Sequence, residues 1–185
     1  MAEYYLIAQL PSLDAVNENM PLPITEERFL ELCDRFLGKR AAAEIKSLTL
    51  APALDQVKSS SVLVQAFNEG EKALRLALAK VRATKNKKPF DLGDIQVSDE
   101  LIKVAEAAVE QESPLDAEKY LSDYRLSFLE TLKPVDAFSE EFVFYYGLKL
   151  KLLLRIRRFD TAKGEAAYKN IYNTILGEDR LEDKQ

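Results

Sequence analysis

SEEFVFYYGLKLKLLLRIRRFDTAKGEAAYKNIYNTI, residues 139–175, reads as a nearly all-apolar helix that carries one narrow basic line. Ser139 is placed to cap it. Glu140 and Glu141 stand in its first turn and Arg155, Arg157 and Arg158 near its end, so the charges complement the helix dipole at both termini. At about 100° per residue, Lys151, Arg155 and Arg158 fall on one stripe. Phe142, Tyr145, Leu148, Leu150, Leu152, Leu153, Leu154 and Ile156 take most of the remaining circumference. A helix of this kind is built to be buried, and its stripe requires acidic groups opposite. These belong either to the same chain, with the cations pairing internally or snorkelling to solvent, or to a partner protein.

Outward from this helix the same grammar repeats. Thr25 reads as an N-cap followed by Glu26 and Glu27, with Ile24 and Phe29 spaced as a hydrophobic staple, and apolar positions continue at helical spacing to Gly38. Cys33 lies on that apolar face and reads as an inert core thiol. Residues 39–48 predict a short helix ended by Pro52, and residues 61–82 a longer one in which Gly70 is a candidate bend or break. Ser98 caps a helix ending near Gln111. Ser113 with Pro114 starts another that runs to Leu132 before Pro134. Asp160 is a candidate cap for a last helix carrying Tyr168, Ile171, Tyr172, Ile175 and Leu176, with Gly177 as its terminator. Residues 4–10 are readable as a short strand or a buried first helix. The fold class is therefore all-α, a multi-helix bundle of antiparallel helix hairpins with at most one short N-terminal strand. It is read as a single domain over residues 1–185, with a possible division into helical halves 1–89 and 98–177 and a frayed tail 178–185.

Composition limits the chemistry. The 185-residue chain has a net charge of −5, one cysteine and no histidine. Without histidine, the commonest general base and metal ligand are missing, and with them the Ser-His and Cys-His nucleophile pairs. A lone Cys33 can neither build a zinc site nor form an internal disulfide. Gly38-Lys39-Arg40 lacks the first glycine and the hydroxyl of a Walker loop, and no dinucleotide fingerprint exists. The expectation is a non-enzyme without cofactor or metal. Net negative charge argues against general affinity for nucleic acid. The N-terminus has Glu3 where an export signal needs cations. No uncharged apolar run approaches the roughly 18 residues of a bilayer span, since even residues 148–156 are broken by Lys149, Lys151 and Arg155. A cytoplasmic protein, or one peripheral to the cytoplasmic face of a membrane, is expected.

Two further clusters invite a site. Lys80, Arg82, Lys85, Lys87 and Lys88 precede Pro89 and read either as a contact for an acidic partner or as a solvated loop. Glu106 and Glu110 lie one turn apart, but their flanking alanines place them on an exposed helix face. The candidate partner contacts are thus Lys151, Arg155, Arg158, Lys85, Lys87 and Lys88.

Two segments bear a family likeness. YYLIAQLPSL at residues 4–13 and PLPITEERFLELCDRFL at residues 21–37 resemble the start of an uncharacterised bacterial family associated with V-type (archaeal-type) ATPase operons. The likeness is carried by Tyr4, Tyr5, Leu6, Leu10 and Pro11, then by Pro21, Pro23, Glu26, Glu27, Phe29, Leu30 and Cys33, with Arg28 inserted. YYGLKLKLLLRIRRFDTAKG at residues 145–164 is similar to a helix of the V-type ATPase C/d subunit family, apolar and ending in basic residues before a glycine. The resemblance implies an all-helical, non-catalytic coupling or accessory subunit of a rotary ATPase. Such a subunit serves proton or sodium transport through contacts with shaft or ring subunits and meets the membrane only through the complex. A freestanding cytoplasmic helical adaptor or regulator is the alternative.

Overall fold

The computed structural model describes residues 2–14, 21–52, 59–90, 97–159 and 161–182. Among these it contains eight helices and no strand: α1 (Ala2–Ile7), α2 (Glu26–Phe36), α3 (Lys39–Lys46), α4 (Val62–Lys85), α5 (Asp99–Val109), α6 (Pro114–Thr131), α7 (Glu140–Ile156) and α8 (Thr161–Glu182). The protein is all-α. The segment at residues 4–10 is helical as far as Ile7 and then turns, rather than being extended, and Leu6 is fully buried.

Hydroxyl caps set the helix starts. Thr25, Ser61, Ser98, Ser113 and Ser139 each accept a hydrogen bond from the backbone N–H three residues on, satisfying a donor that the helix leaves orphaned. Gly70 does not break α4. A Cβ there would stand 2.4 Å from Cε1 of Phe128, so the glycine lets an aromatic ring of α6 lie against the α4 backbone. Gly177 likewise lies inside α8, which continues to Glu182. The expected Asp160 cap falls outside the described residues.

The core has two parts joined by α4. The larger gathers α1, α2, α3, the first half of α4, the end of α6 and most of α7; the smaller packs the second half of α4 on α5 and the start of α6. Helix α7 is the hub, touching α1, α2, α4 and α6. Pairs α5–α6 and α6–α7 form antiparallel hairpins. After α4 the chain re-enters so that α5 runs in roughly the same sense, and Lys85 Nζ at the end of α4 donates to the carbonyl of Val109 at the end of α5, 3.0 Å away. Packing therefore crosses the connection at residues 90–97, of which residues 91–96 lie outside the described set.

Candidate functional site

The basic line of α7 opens onto a surface cleft of about 440 Å³, lined by Glu26, residues 48–51, Lys151, Leu154, Arg155, Arg158 and Phe159. The structure thus brings Lys151, Arg155 and Arg158 together, as their spacing predicts. Their electrostatic situations differ. Lys151 Nζ donates to Glu26 Oε1 at 2.5 Å, tying α7 to the first turn of α2. Arg155 Nη2 meets Glu118 Oε1 of α6 at 2.5 Å. Arg158 has no acidic partner among the described residues.

Arg155 is the outer rung of a ladder reaching into the bundle. Glu118 lies 3.5 Å from Arg125 Nη1, and Arg125 clamps Glu71 through Nε at 2.9 Å and Nη2 at 3.2 Å. Glu71 also binds Arg75 Nε at 2.9 Å, while Arg75 Nη2 donates to the carbonyl of Leu50 on the cleft wall. Three guanidiniums thus face two carboxylates, and the excess positive charge adds to that of Arg158. Glu71 and Arg125 are buried. A fork-to-fork pair there is the arrangement that makes two desolvated charges tolerable.

A second polar hub lies deeper on α7. Lys149 is buried, and its ammonium binds Asp14 Oδ1 at 2.5 Å, Glu130 Oε1 at 2.6 Å and the Tyr145 hydroxyl at 3.3 Å. Burial alone would pull this lysine down, yet the bonds to Asp14, Glu130 and Tyr145 outweigh it and hold the pKa above the ordinary lysine range. The bond from Lys149 lowers Asp14. Glu130 is also lowered, its bonds to Lys149 and Tyr145 overcoming desolvation. Desolvation and the bond to Glu130 push the Tyr145 phenol up to about 12. With the Tyr146 hydroxyl donating to the Pro11 carbonyl at 2.8 Å, the hub straps residues 11–14 across the bundle. Glu141 makes a comparable long-range link: its carboxylate accepts from Ser61 Oγ at 2.7 Å and from the backbone N–H groups of Val62 and Leu63 at the start of α4.

The loop cluster divides. Lys85 is spent on the α5 terminus, where a cation suits the dipole, whereas Lys87, at φ 53°, and Lys88 are exposed in the turn after α4. Glu106 and Glu110 lie on the exposed face of α5 and share a cleft with Lys80 and Lys85. No group of side chains suited to hold a metal occurs among the described residues. Cys33 is buried, and desolvation, with the Asp34 charge, pushes its thiol up to about 12, which makes it inert.

Spacing alone missed Glu71, Arg125 and Lys149. A signal existed for the first two: Glu71 interrupts the apolar stripe of Phe67, Leu74 and Leu78, and Arg125 that of Leu121 and Leu129. A charge on a buried stripe of each of two helices marks an ion pair between them.

These features define a helical protein with an open basic cleft at one end of its central helix. The chain belongs to the family of proteins of unknown function DUF2764, which it matches over residues 60–178. No curated protein and no solved structure matches it. The matched span holds the whole ladder from Glu71 to Arg155, whereas residues 4–37 lie outside it. No described helix is long and apolar enough to cross a membrane.

Proposed function

We propose that this protein is a non-catalytic coupling or accessory subunit of a bacterial V-type ATPase, serving proton or sodium transport by holding acidic groups of a shaft or ring subunit in the α7 cleft. The observation that carries the reading is Arg158: a cation on the cleft wall with no counterion among the described residues, beside Lys151 and Arg155, which have theirs. The resemblance of residues 4–37 and 145–164 to ATPase-associated sequences is what supports a V-type ATPase as the complex. On this reading the protein works on the cytoplasmic face of the membrane and reaches the bilayer only through its partners.

A freestanding helical adaptor is the second reading, favoured by α8. All its described side chains, residues 164–174, are exposed, and Tyr168, Ile171 and Tyr172 form an apolar line at the spacing that enters a partner groove. Purification of the native complex with wild-type and Arg158→Glu chains separates the two. The ATPase reading expects shaft or ring subunits with the wild type and their loss with the variant. Recovery of the folded wild type with an unrelated protein alone would replace it with the adaptor.

A further inference from the structure

The ladder that ends at Arg155 contains one unsatisfied donor. Arg125 spends Nε and Nη2 on Glu71, and its Nη1, also buried, finds no hydrogen-bond partner among the described residues. Glu118 Oε1 stands 3.5 Å from it, within ion-pair reach but without hydrogen-bond geometry. A buried donor in that state carries a desolvation cost that nothing offsets. The same oxygen, Oε1, is held by Arg155 Nη2 at 2.5 Å. Two arginines thus contest one carboxylate, and Arg155 has it.

The contestants differ in their access to water. The side chain of Arg125 is 7% exposed, whereas that of Arg155 is 33% exposed and lines the cleft beside Arg158. An ion pair near the surface gives up little when it opens, because water or an incoming anion solvates the released cation. Arg125 has no such recourse and can only gain from a closer Glu118. The charge count points the same way. Arg75, Arg125 and Arg155 face Glu71 and Glu118, so a third carboxylate arriving from the cleft balances the ladder.

We propose that Glu118 is a transferable counterion. When a carboxylate of the acidic partner enters the cleft and takes Arg155, Glu118 closes the 3.5 Å gap to Arg125 Nη1 towards the ordinary hydrogen-bond distance of about 2.9 Å, and the bond gained there lowers the cost of releasing Arg155. Arg125, which does not line the cleft, is then a positioning residue for it, acting through Glu118. The free protein offers one uncommitted cation at the cleft, Arg158, and the complex uses two, with no change of protonation. The inference rests on the reading of the cleft as a site for acidic groups.

Fluorescence anisotropy of a labelled hexaglutamate peptide titrated into the full chain tests both. Arg158→Glu weakens binding about fivefold or more, which places the peptide at the cleft. Arg125→Lys keeps the charge and a bond to Glu71 but has no second arm for Glu118, and it weakens binding about fivefold. In the Glu118→Gln background no carboxylate remains to be transferred, and Arg125→Lys shifts binding less than about twofold. A wild type that does not bind hexaglutamate, or binds it regardless of Arg158→Glu, overturns the reading of the cleft and the exchange with it. Where that reading holds, equal weakening by Arg125→Lys in both backgrounds marks a general distortion of the bundle and overturns the exchange alone. So does no weakening in either. Should Arg125→Lys fail to fold, proton–nitrogen spectra of the wild-type arginine side chains decide. Saturating hexaglutamate slows hydrogen exchange at the Arg125 guanidinium, and an Arg125 signal indifferent to the peptide overturns the exchange.

Discussion

Lys149 and Arg158 sit on the same helix and meet opposite fates. Lys149 is sunk in the bundle with Asp14, Glu130 and Tyr145 around it, whereas Arg158 stands at an open cleft with no carboxylate partner among the described residues. The first cation is enclosed and fully committed, and its role is to hold the chain together. The second is hydrated and uncommitted, so it costs folding little and remains available to another molecule. Burial together with partner count, more than charge, separates structural cations from recognition cations along α7.

The sharpest challenge to that distinction is the Glu71–Arg125 pair, where both members are committed. Glu71→Ala should cost about 3 to 5 kcal/mol by denaturant unfolding, because it strands the buried Arg125. Glu71→Leu with Arg125→Leu should cost less than either single change. A double variant worse than both singles would mean that the pair contributes net stability rather than mutual compensation. Lys149→Met comes next, at roughly 1 to 3 kcal/mol, since it removes bonds from Asp14 and Glu130, both of which keep access to water.

The Lys149 hub also sets a pH signature. Folding lowers Asp14 and Glu130, so their contribution is complete above the ordinary carboxylate range and is lost as pH falls through their depressed values. Folding raises Lys149, so its contribution persists through neutrality and fades only above the ordinary lysine range. Wild-type unfolding midpoints should fall in acid, and Lys149→Met should flatten that fall. An unchanged acid profile in the variant would remove the hub from the account.

Gly70→Ala is the next step down. The new methyl must displace the Phe128 ring, at about 1 to 3 kcal/mol for overpacking, partly offset by the roughly 1 kcal/mol that alanine gains over glycine in a helix. Phe128→Leu in the same chain should relieve the clash. The smallest effect belongs to Arg158→Glu, whose unfolding free energy should stay within about 0.5 kcal/mol of wild type. Arg155→Glu, which sets a like charge against Glu118, should be distinctly worse. Equal destabilisation by the two would erase the contrast drawn along α7.

What could be read from residues alone was what local geometry determines. The caps at Thr25, Ser98, Ser113 and Ser139 depend on bonds spanning three residues, and each stands where its pattern places it; Ser61, read only as the first residue of its helix, is a cap of the same kind. The stripe of Lys151, Arg155 and Arg158 follows from helical rotation in the same way. Residues 4–10 were ambiguous because so short an apolar run carries no decisive period, and burial against α7 settles it. Gly70 looks like a flaw in α4 until Phe128 arrives from another helix. Pairings such as Lys149 with Asp14, or Arg155 with Glu118, join positions far apart in the chain, and no local rule encodes them.

The central place of α7 also bears on how the protein is made. A ribosome releases α1, α2, α3 and α4 well before the helix that completes their shared core, and the Glu141 carboxylate that closes the start of α4 emerges only with it. Until then Phe29, Ile45 and Phe67 have no α7 surface to cover them. The nascent chain therefore passes through an interval of exposed apolar surface that ends abruptly as α7 clears the exit tunnel. Any polypeptide stopped before that helix carries the hydrophobic burden of a domain without its keystone and is a natural client for chaperones and proteases.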